Sequence, residues 1–278
     1  MTSLRSGVKL SLMKKILGII FFSMLFSGSV YADNRLNLPN DQDIFSGEQF
    51  KENANKRYPE HAWEVVSKKD GYPVRSGERS IKIEIRDGDC YSSFDCNSNR
   101  ERIELTTDYK YKGEWWYAWS IYFPKNHKNL APIASMMVQF KQDKKYGNQI
   151  DSPPYWSFEN SAVNGAIRIT EGYWLNNRVK VPAGAITKLL SDDEILGKWN
   201  DILVNVKWTE KEDGFFNVWV NNKLKFEHTG PTKRNAPVRF KFGIYRRNIF
   251  IDNTPTQVIF YDEIRIGKSK QEVTKYLD

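Results

Sequence analysis

The chain has 278 residues, 40% of them hydrophobic and 14% aromatic, with 42 Lys and Arg against 34 Asp and Glu and a formal net charge of +8. That apolar content is enough for a packed core and excludes an intrinsically disordered chain. The basic excess is mild and no arginine-rich run occurs, so nucleic-acid binding is not indicated, whereas an acidic partner suits the charge.

The chain opens on a leader. Lys14 and Lys15 precede an apolar run from Ile16 to about Val30, which ends in Val30-Tyr31-Ala32, residues suited to signal peptidase. The run is shorter than the ~20 residues that cross a bilayer, and Ser27, Gly28 and Ser29 dilute it. Residues 1–32 therefore read as a cleaved signal peptide rather than a membrane anchor, and no later segment is apolar enough to span. The predicted location is secreted or periplasmic. The leader holds Arg5, Lys9, Lys14 and Lys15 and no acid, so its removal takes the net charge from +8 to +4. Residues 33–278 read as a single domain, expected to be a monomer.

Residues 41–66 offer weak helix caps and no clean apolar stripe, and read as partly helical. From Ser80 the pattern changes to period two. "SIKIEIR" (80–86) alternates Ile81, Ile83 and Ile85 with polar residues, and "RDGD" (86–89) is turn chemistry. Cys90 and Cys96 follow in "DCYSSFDC"; in an exported chain they predict a disulfide closing a short loop. A metal or redox pair would want CxxC spacing or histidines. Strands are then predicted at "RIELT" (102–106), "WWYAWSIYF" (115–123), "MMVQFK" (136–141), "GAIRIT" (165–170), "WNDILVNVKW" (199–208), "FFNVWVNNKLKF" (215–226), "VRFKFGIY" (238–245) and "QVIFYDEIRI" (257–266), with a hairpin turn at "VNNK" (220–223). Many strands and few helices define an all-β chain, a β-sandwich of jelly-roll type.

Several chemistries are missing. There is no GxSxG, HExxH or Walker A segment. The three histidines, His61, His127 and His228, have no metal-ligand neighbours at suitable spacing, so no metal site is assigned. A glycosidase would want two carboxylates flanking the bond. Glu84, Asp87 and Asp89 are close in sequence, but a turn explains them.

Three strands have an unusual polar face. Arg102 and Glu104 share one side of "RIEL", Gln139 and Lys141 one side of "VQFKQ" (138–142), and Lys241, Gly243 and Tyr245 one side of "KFGIY" (241–245). Each alone reads as a solvated sheet face. As neighbours they would form one surface of cations, an amide and a phenol. Such a surface suits β-elimination on a uronic-acid polymer. The C5 proton, α to the carboxylate, becomes removable when that carboxylate is neutralised. A base takes the proton, an acid protonates O4, and a tyrosine whose pKa is lowered by cationic neighbours can do either. Neither metal nor cofactor is required.

At these residues the sequence resembles the heparin lyase I-like polysaccharide lyases, a group that includes glucuronan lyases. "IEIRDGD…RERIEL", "GEWWYAWSIYFP" (113–124), "VQFKQ", "LGKWNDILVNVKW" (196–208), "GFFNVWVNNK" (214–223), "KFGIYRRN" (241–248) and "YDEIRIG" (261–267) carry the resemblance in order. It implies a concanavalin-like jelly roll with a concave sheet that binds the polysaccharide. Arg102 and Gln139 would neutralise the uronate carboxylate, Tyr245 would move protons, Lys241 would bind substrate, and Glu104 would orient Arg102. Arg247, Tyr117 and Trp119 are assigned to the substrate as well. Lys141 stands where the family has a histidine base, which leaves three readings open. Lys141 is the base, or Tyr245 performs both proton transfers in a syn elimination, or the groove binds polysaccharide without cleaving it. A glycoside hydrolase on a similar sandwich is a further alternative. A structural calcium ion is allowed by the resemblance, though no ligand set in this sequence points to one. Segments 143–156 and 171–195 are assigned to reading sugar identity.

Overall fold

A computed structural model of the protein describes residues 44–274 except 47–49, 54–56, 111, 131–134, 144–153, 162–165, 172–185, 248, 250 and 252. The signal peptide expected over 1–32 lies outside the described residues, and so does much of the two segments assigned to sugar recognition.

The strands in chain order are β1 (Phe45–Ser46), β2 (Lys51–Glu52), β3 (Trp63–Ser67), β4 (Arg79–Ile85), β5 (Arg100–Lys110), β6 (Gly113–Tyr122), β7 (Ser135–Gln142), β8 (Trp156–Ser161), β9 (Ala166–Glu171), β10 (Ile186–Lys188), β11 (Trp199–Trp208), β12 (Phe215–Val220), β13 (Lys223–Thr229), β14 (Val238–Arg247) and β15 (Gln257–Gly267). One sheet runs β13-β12-β11-β6-β15-β4-β3, with β1 added in parallel to β15. The other runs β10-β9-β8-β7-β14-β5-β2. Among the described residues every strand pair except β1–β15 is antiparallel, and the two layers form a β-jelly-roll sandwich.

Period-two patterning explains the packing. Ile81, Ile83 and Ile85 of β4 and Ile202, Val204 and Val206 of β11 point inward from one sheet. Ile103 and Leu105 of β5, Val138 and Phe140 of β7, and Phe240, Phe242 and Ile244 of β14 meet them from the other. Each such side chain stabilises the fold by about 1.5–3 kcal/mol through burial. Between β12 and β13, Asn221 and Asn222 take φ of 47° and 62°. Both are positive, as a two-residue type I′ hairpin requires. Among the described residues helices are confined to short pieces of about one turn such as Ser93–Cys96, and none is long and apolar enough to cross a membrane.

Two expectations are corrected. The described part of 41–66 contains the short strands β1, β2 and the start of β3 and no helix; without an apolar stripe, these residues instead pair as strands, β1 with β15, β2 with β5 and β3 with β4. Tyr117 and Trp119 do not face a substrate. Both are about 1% exposed in the inter-sheet core. The Tyr117 hydroxyl accepts a hydrogen bond from Trp208 Nε1 at 3.1 Å, and the Trp119 ring meets Phe158 edge-on at 5.0 Å. In β6 nearly every position is aromatic or apolar, so alternation defines two faces without saying which is inside. Trp115 is only partly buried, beneath the Lys268 ammonium at 3.4 Å from its ring centroid.

Candidate active site

The three polar-faced strands are neighbours, in the order β7-β14-β5. Register sets their side chains opposite one another. Lys241 lies across from Gln139 on β7 and Thr106 on β5, Gly243 across from Glu104, and Tyr245 across from Arg102. Directly opposite residues of an antiparallel pair share a face. Arg102, Glu104, Gln139, Lys241 and Tyr245 therefore form one cluster.

Glu104 is its hub. Its carboxylate is buried and accepts hydrogen bonds from Lys241 Nζ at 2.7 Å, from Arg102 Nη1 at 3.0 Å and from the Gln139 amide. Asn53 Nδ2 stands 3.5 Å away. Burial works to raise the Glu104 pKa, but Lys241 and Arg102 outweigh it and hold the carboxyl at about 2. Burial lowers the Lys241 ammonium to about 7; Glu104 opposes that shift, and Arg102 and Arg239 add to it. Behind the carboxylate, the Tyr58 hydroxyl takes the Glu104 backbone N–H at 3.2 Å.

Arg102 joins this hub to Tyr245. Its Nε and Nη2 donate to the two oxygens of Asp95 at 3.0 and 2.9 Å, while Nη1 reaches Glu104. Burial disfavours its charge, yet Glu104 and Asp95 more than compensate, and its pKa is raised. The guanidinium lies over the Tyr245 ring, with Cζ 3.8 Å from the ring centroid. Arg100 Nη1 donates to the Tyr245 hydroxyl at 2.9 Å. Two arginines thus bracket the phenol, as a lowered pKa would need. Burial nevertheless dominates, and the Tyr245 pKa is raised even though Arg102 and Arg100 pull it down. The sequence expectation of a lowered phenol pKa is corrected on this ground.

The other assigned residues lie on the same strands at varying distances from the cluster. Arg247 ends β14 with Nη2 3.5 Å from Glu159 Oε1. Arg246, on the core side of the strand, is fully buried, paired with Glu101 and bonded to the carbonyls of Pro255 and Arg86. Lys141 is half-buried opposite Arg239, whereas Tyr245 is opposite Met136, five residues along β7. At about 3.4 Å per residue that is roughly 17 Å, and strand side chains stand nearly perpendicular to the sheet. Gly243 has a steric task on β14. Its φ is +140°, and a Cβ there would lie 2.1 Å from the Ile103 carbonyl oxygen. The glycine lets the neighbouring strand β5 approach.

None of the histidines lies on β5, β7 or β14. His61 bonds Asp89 at 3.0 Å, His127 sits edge-on to Phe123, and His228 reaches the Pro231 carbonyl. Among the described residues no group of three or more His, Cys, Asp or Glu is placed to hold a metal ion. The disulfide Cys90–Cys96 is formed. Sequence reasoning missed Asp95, Arg100 and Tyr58. Arg100 shares the parity of Arg102 and Glu104 on β5, a signal that was present; the other two come from loops whose approach only the fold defines.

The chain is thus a β-sandwich with a polar sheet face on which two arginines bracket a tyrosine. A family model described as polysaccharide lyase matches residues 45–265, and the chain belongs to that family. It is a polysaccharide lyase. Among solved structures, it is similar to an endo-β-1,4-glucuronan lyase from the fungus Trichoderma reesei, with 15% identity, 81% of this chain and 96% of that chain covered, and a TM-score of 0.58. It is also similar to family 7 alginate lyase A1-II′ in complex with product, with 12% identity, 75% and 96% covered, and a TM-score of 0.51. At these identities the likeness speaks to the shared fold. No curated protein matches the chain.

Proposed function

We propose that the protein is an exported lyase that cleaves a uronic-acid-containing polysaccharide by β-elimination at Tyr245. The observation that carries this reading is the phenol held between Arg100 and Arg102 on the polar sheet face. Both arginines stabilise the phenolate relative to the phenol, and the same cationic surface suits a polyanion. The phenolate takes the C5 proton and returns it to O4 as the chain breaks, so one residue serves both steps of a syn elimination. Burial keeps the phenolate a minor form at neutral pH, and the rate rises toward alkaline pH as it fills. Arg102 has three of its five N–H groups engaged by Asp95 and Glu104; its remaining donors are available for the uronate carboxylate. Lys141, remote from Tyr245 along β7, is read as a binder of the polymer rather than the base. The leader at 1–32 and the disulfide support export to an oxidising compartment.

Glucuronan and alginate are the first substrates to try, given what the similar structures are named for. The wild-type protein and Tyr245→Phe are incubated with glucuronan, alginate, heparinoids and capsular polymers. Product is followed by the ultraviolet absorbance of the new C4=C5 double bond. Absorbance from the wild type on one polymer and its loss in Tyr245→Phe are expected. Equal rates from the two proteins would remove Tyr245 from the chemistry.

A further inference from the structure

The loop closed by Cys90–Cys96 bears on Tyr245 through two separate contacts. Asp95, the residue before Cys96, is buried and binds Arg102 through both carboxylate oxygens, and Arg102 lies on the Tyr245 ring. Phe94, one residue earlier, lies under the Arg100 guanidinium, with Cζ 4.6 Å from its ring centroid. Arg100 in turn donates to the Tyr245 hydroxyl. Each arginine that touches the phenol is therefore held from behind by a residue of this loop.

The loop is built to hold Asp95, while Phe94 lies at its surface against Arg100. Ser92 caps the single turn Ser93–Cys96 by accepting the Asp95 N–H at 3.1 Å, and its hydroxyl donates to Asp95 Oδ2 at 2.8 Å. The Asp95 carboxylate is thus fixed by its own loop before it meets Arg102. At the other end of the loop, the Asp89 carbonyl accepts the Arg102 backbone N–H at 2.9 Å. The Asp89 carboxylate is tied to the Arg86 N–H, to His61 and to the Tyr91 hydroxyl. One helical turn has too few hydrogen bonds to persist alone. The disulfide joins its last residue to Cys90, beside Asp89, so that both ends of the loop are fixed to the same strand.

We propose that the Cys90–Cys96 loop is a positioning element for Tyr245, with Asp95 setting the plane of Arg102 and Phe94 steering Arg100 onto the hydroxyl. This rests on the reading of Tyr245 as the proton-transfer residue, but the placement of the ring can be tested independently. Tyrosine is labelled with ¹³C at Cζ, and the Tyr245 resonance is assigned with Tyr245→Phe. The oxidised protein is then reduced with a phosphine, which converts the disulfide to two thiols. Cys96 is exposed and open to the reagent. The Tyr245 resonance is expected to move on reduction, and Tyr261, bonded to the Met137 and Gly243 carbonyls behind the sheet, to stay in place. On a polymer the enzyme cleaves, reduction, Cys90→Ser/Cys96→Ser and Asp95→Ala each lower kcat about tenfold or more while KM changes less than about twofold, because misplacement of the reacting group is what is lost. An unmoved Tyr245 resonance after complete reduction overturns the proposal whatever the activity, as does an unchanged kcat in the reduced enzyme. If the oxidised protein cleaves no polymer while the resonance does move, the lyase reading of Tyr245 fails and the positioning role stands.

Discussion

Glu104→Gln puts the floor of the site to a quantitative test. The Glu104 carboxyl is held at about 2 against an ordinary 4.5. Ionised in the fold, it contributes about 3 kcal/mol at neutral pH, a contribution fully present above the unfolded pKa and lost as pH falls through the folded one. Glutamine keeps the shape and an acceptor oxygen but removes the charge. Lys241, with its Nζ 2.7 Å from that oxygen, is then buried facing Arg102 and Arg239 with no carboxylate in contact. Breaking a buried pair from one side costs about 3–5 kcal/mol. Lys241 can relieve part of this by losing its proton, so the penalty is largest where the ammonium is charged. Urea unfolding of the oxidised variant and wild type is compared at about pH 6 and about pH 9, with a loss of about 3 kcal/mol expected at the lower pH and clearly less at the higher. In a chain of this size that loss lowers Tm by roughly 10 °C. A loss below about 1 kcal/mol, or one equal at both pH values, would refute the picture of Glu104 as an ionised hub.

Tyr245→Phe is expected to reduce kcat about 10²–10⁴-fold with the fold retained, checked by near-ultraviolet circular dichroism alongside the rate. The logarithm of kcat should climb with pH on the alkaline side because burial raises the phenol pKa; a fall there would instead assign Tyr245 as an acid only. Lys141→Gln should raise KM and leave kcat within about threefold, since the register keeps it away from the reacting tyrosine. Gly243→Ala should destabilise by more than about 2 kcal/mol in denaturant, because its Cβ would strike the Ile103 carbonyl from a positive-φ backbone.

The strands were legible because half-buried antiparallel strands alternate strictly, and β4, β5, β11 and β14 do so over most of their length. β8 escaped because "WSFENS" mixes Ser157, Glu159 and Asn160 among its apolar residues, and all three are buried. The face shared by Arg102, Glu104, Gln139, Lys241 and Tyr245 was legible from parity alone. Their mutual engagement was not. Glu104 was expected to orient Arg102, but its simultaneous contact with Lys241 and Gln139 depends on a register that the sequence does not print. Asp95 and Arg100 illustrate the same limit, since their contacts depend on a loop folding back beside β5. Tyr117 and Trp119 went astray for a different reason: periodicity assigns residues to a face without telling inside from outside.

The step in register beside Gly243 determines which β7 residue stands opposite the tyrosine. Two residues of β14, Gly243 and Ile244, stand against the single Met137 of β7 between the pairs Phe242–Val138 and Tyr245–Met136. An uninterrupted ladder would have put Tyr245 opposite Ser135. The bulge substitutes a thioether for a hydroxyl beside the ring, while Met137 joins Val138 in the core. Adding one residue to β7 between Met136 and Val138 would restore regular pairing and still leave Met136 opposite the ring. The extra residue of β14 thus decides which β7 side chain stands opposite the tyrosine, and the one that stands there is apolar.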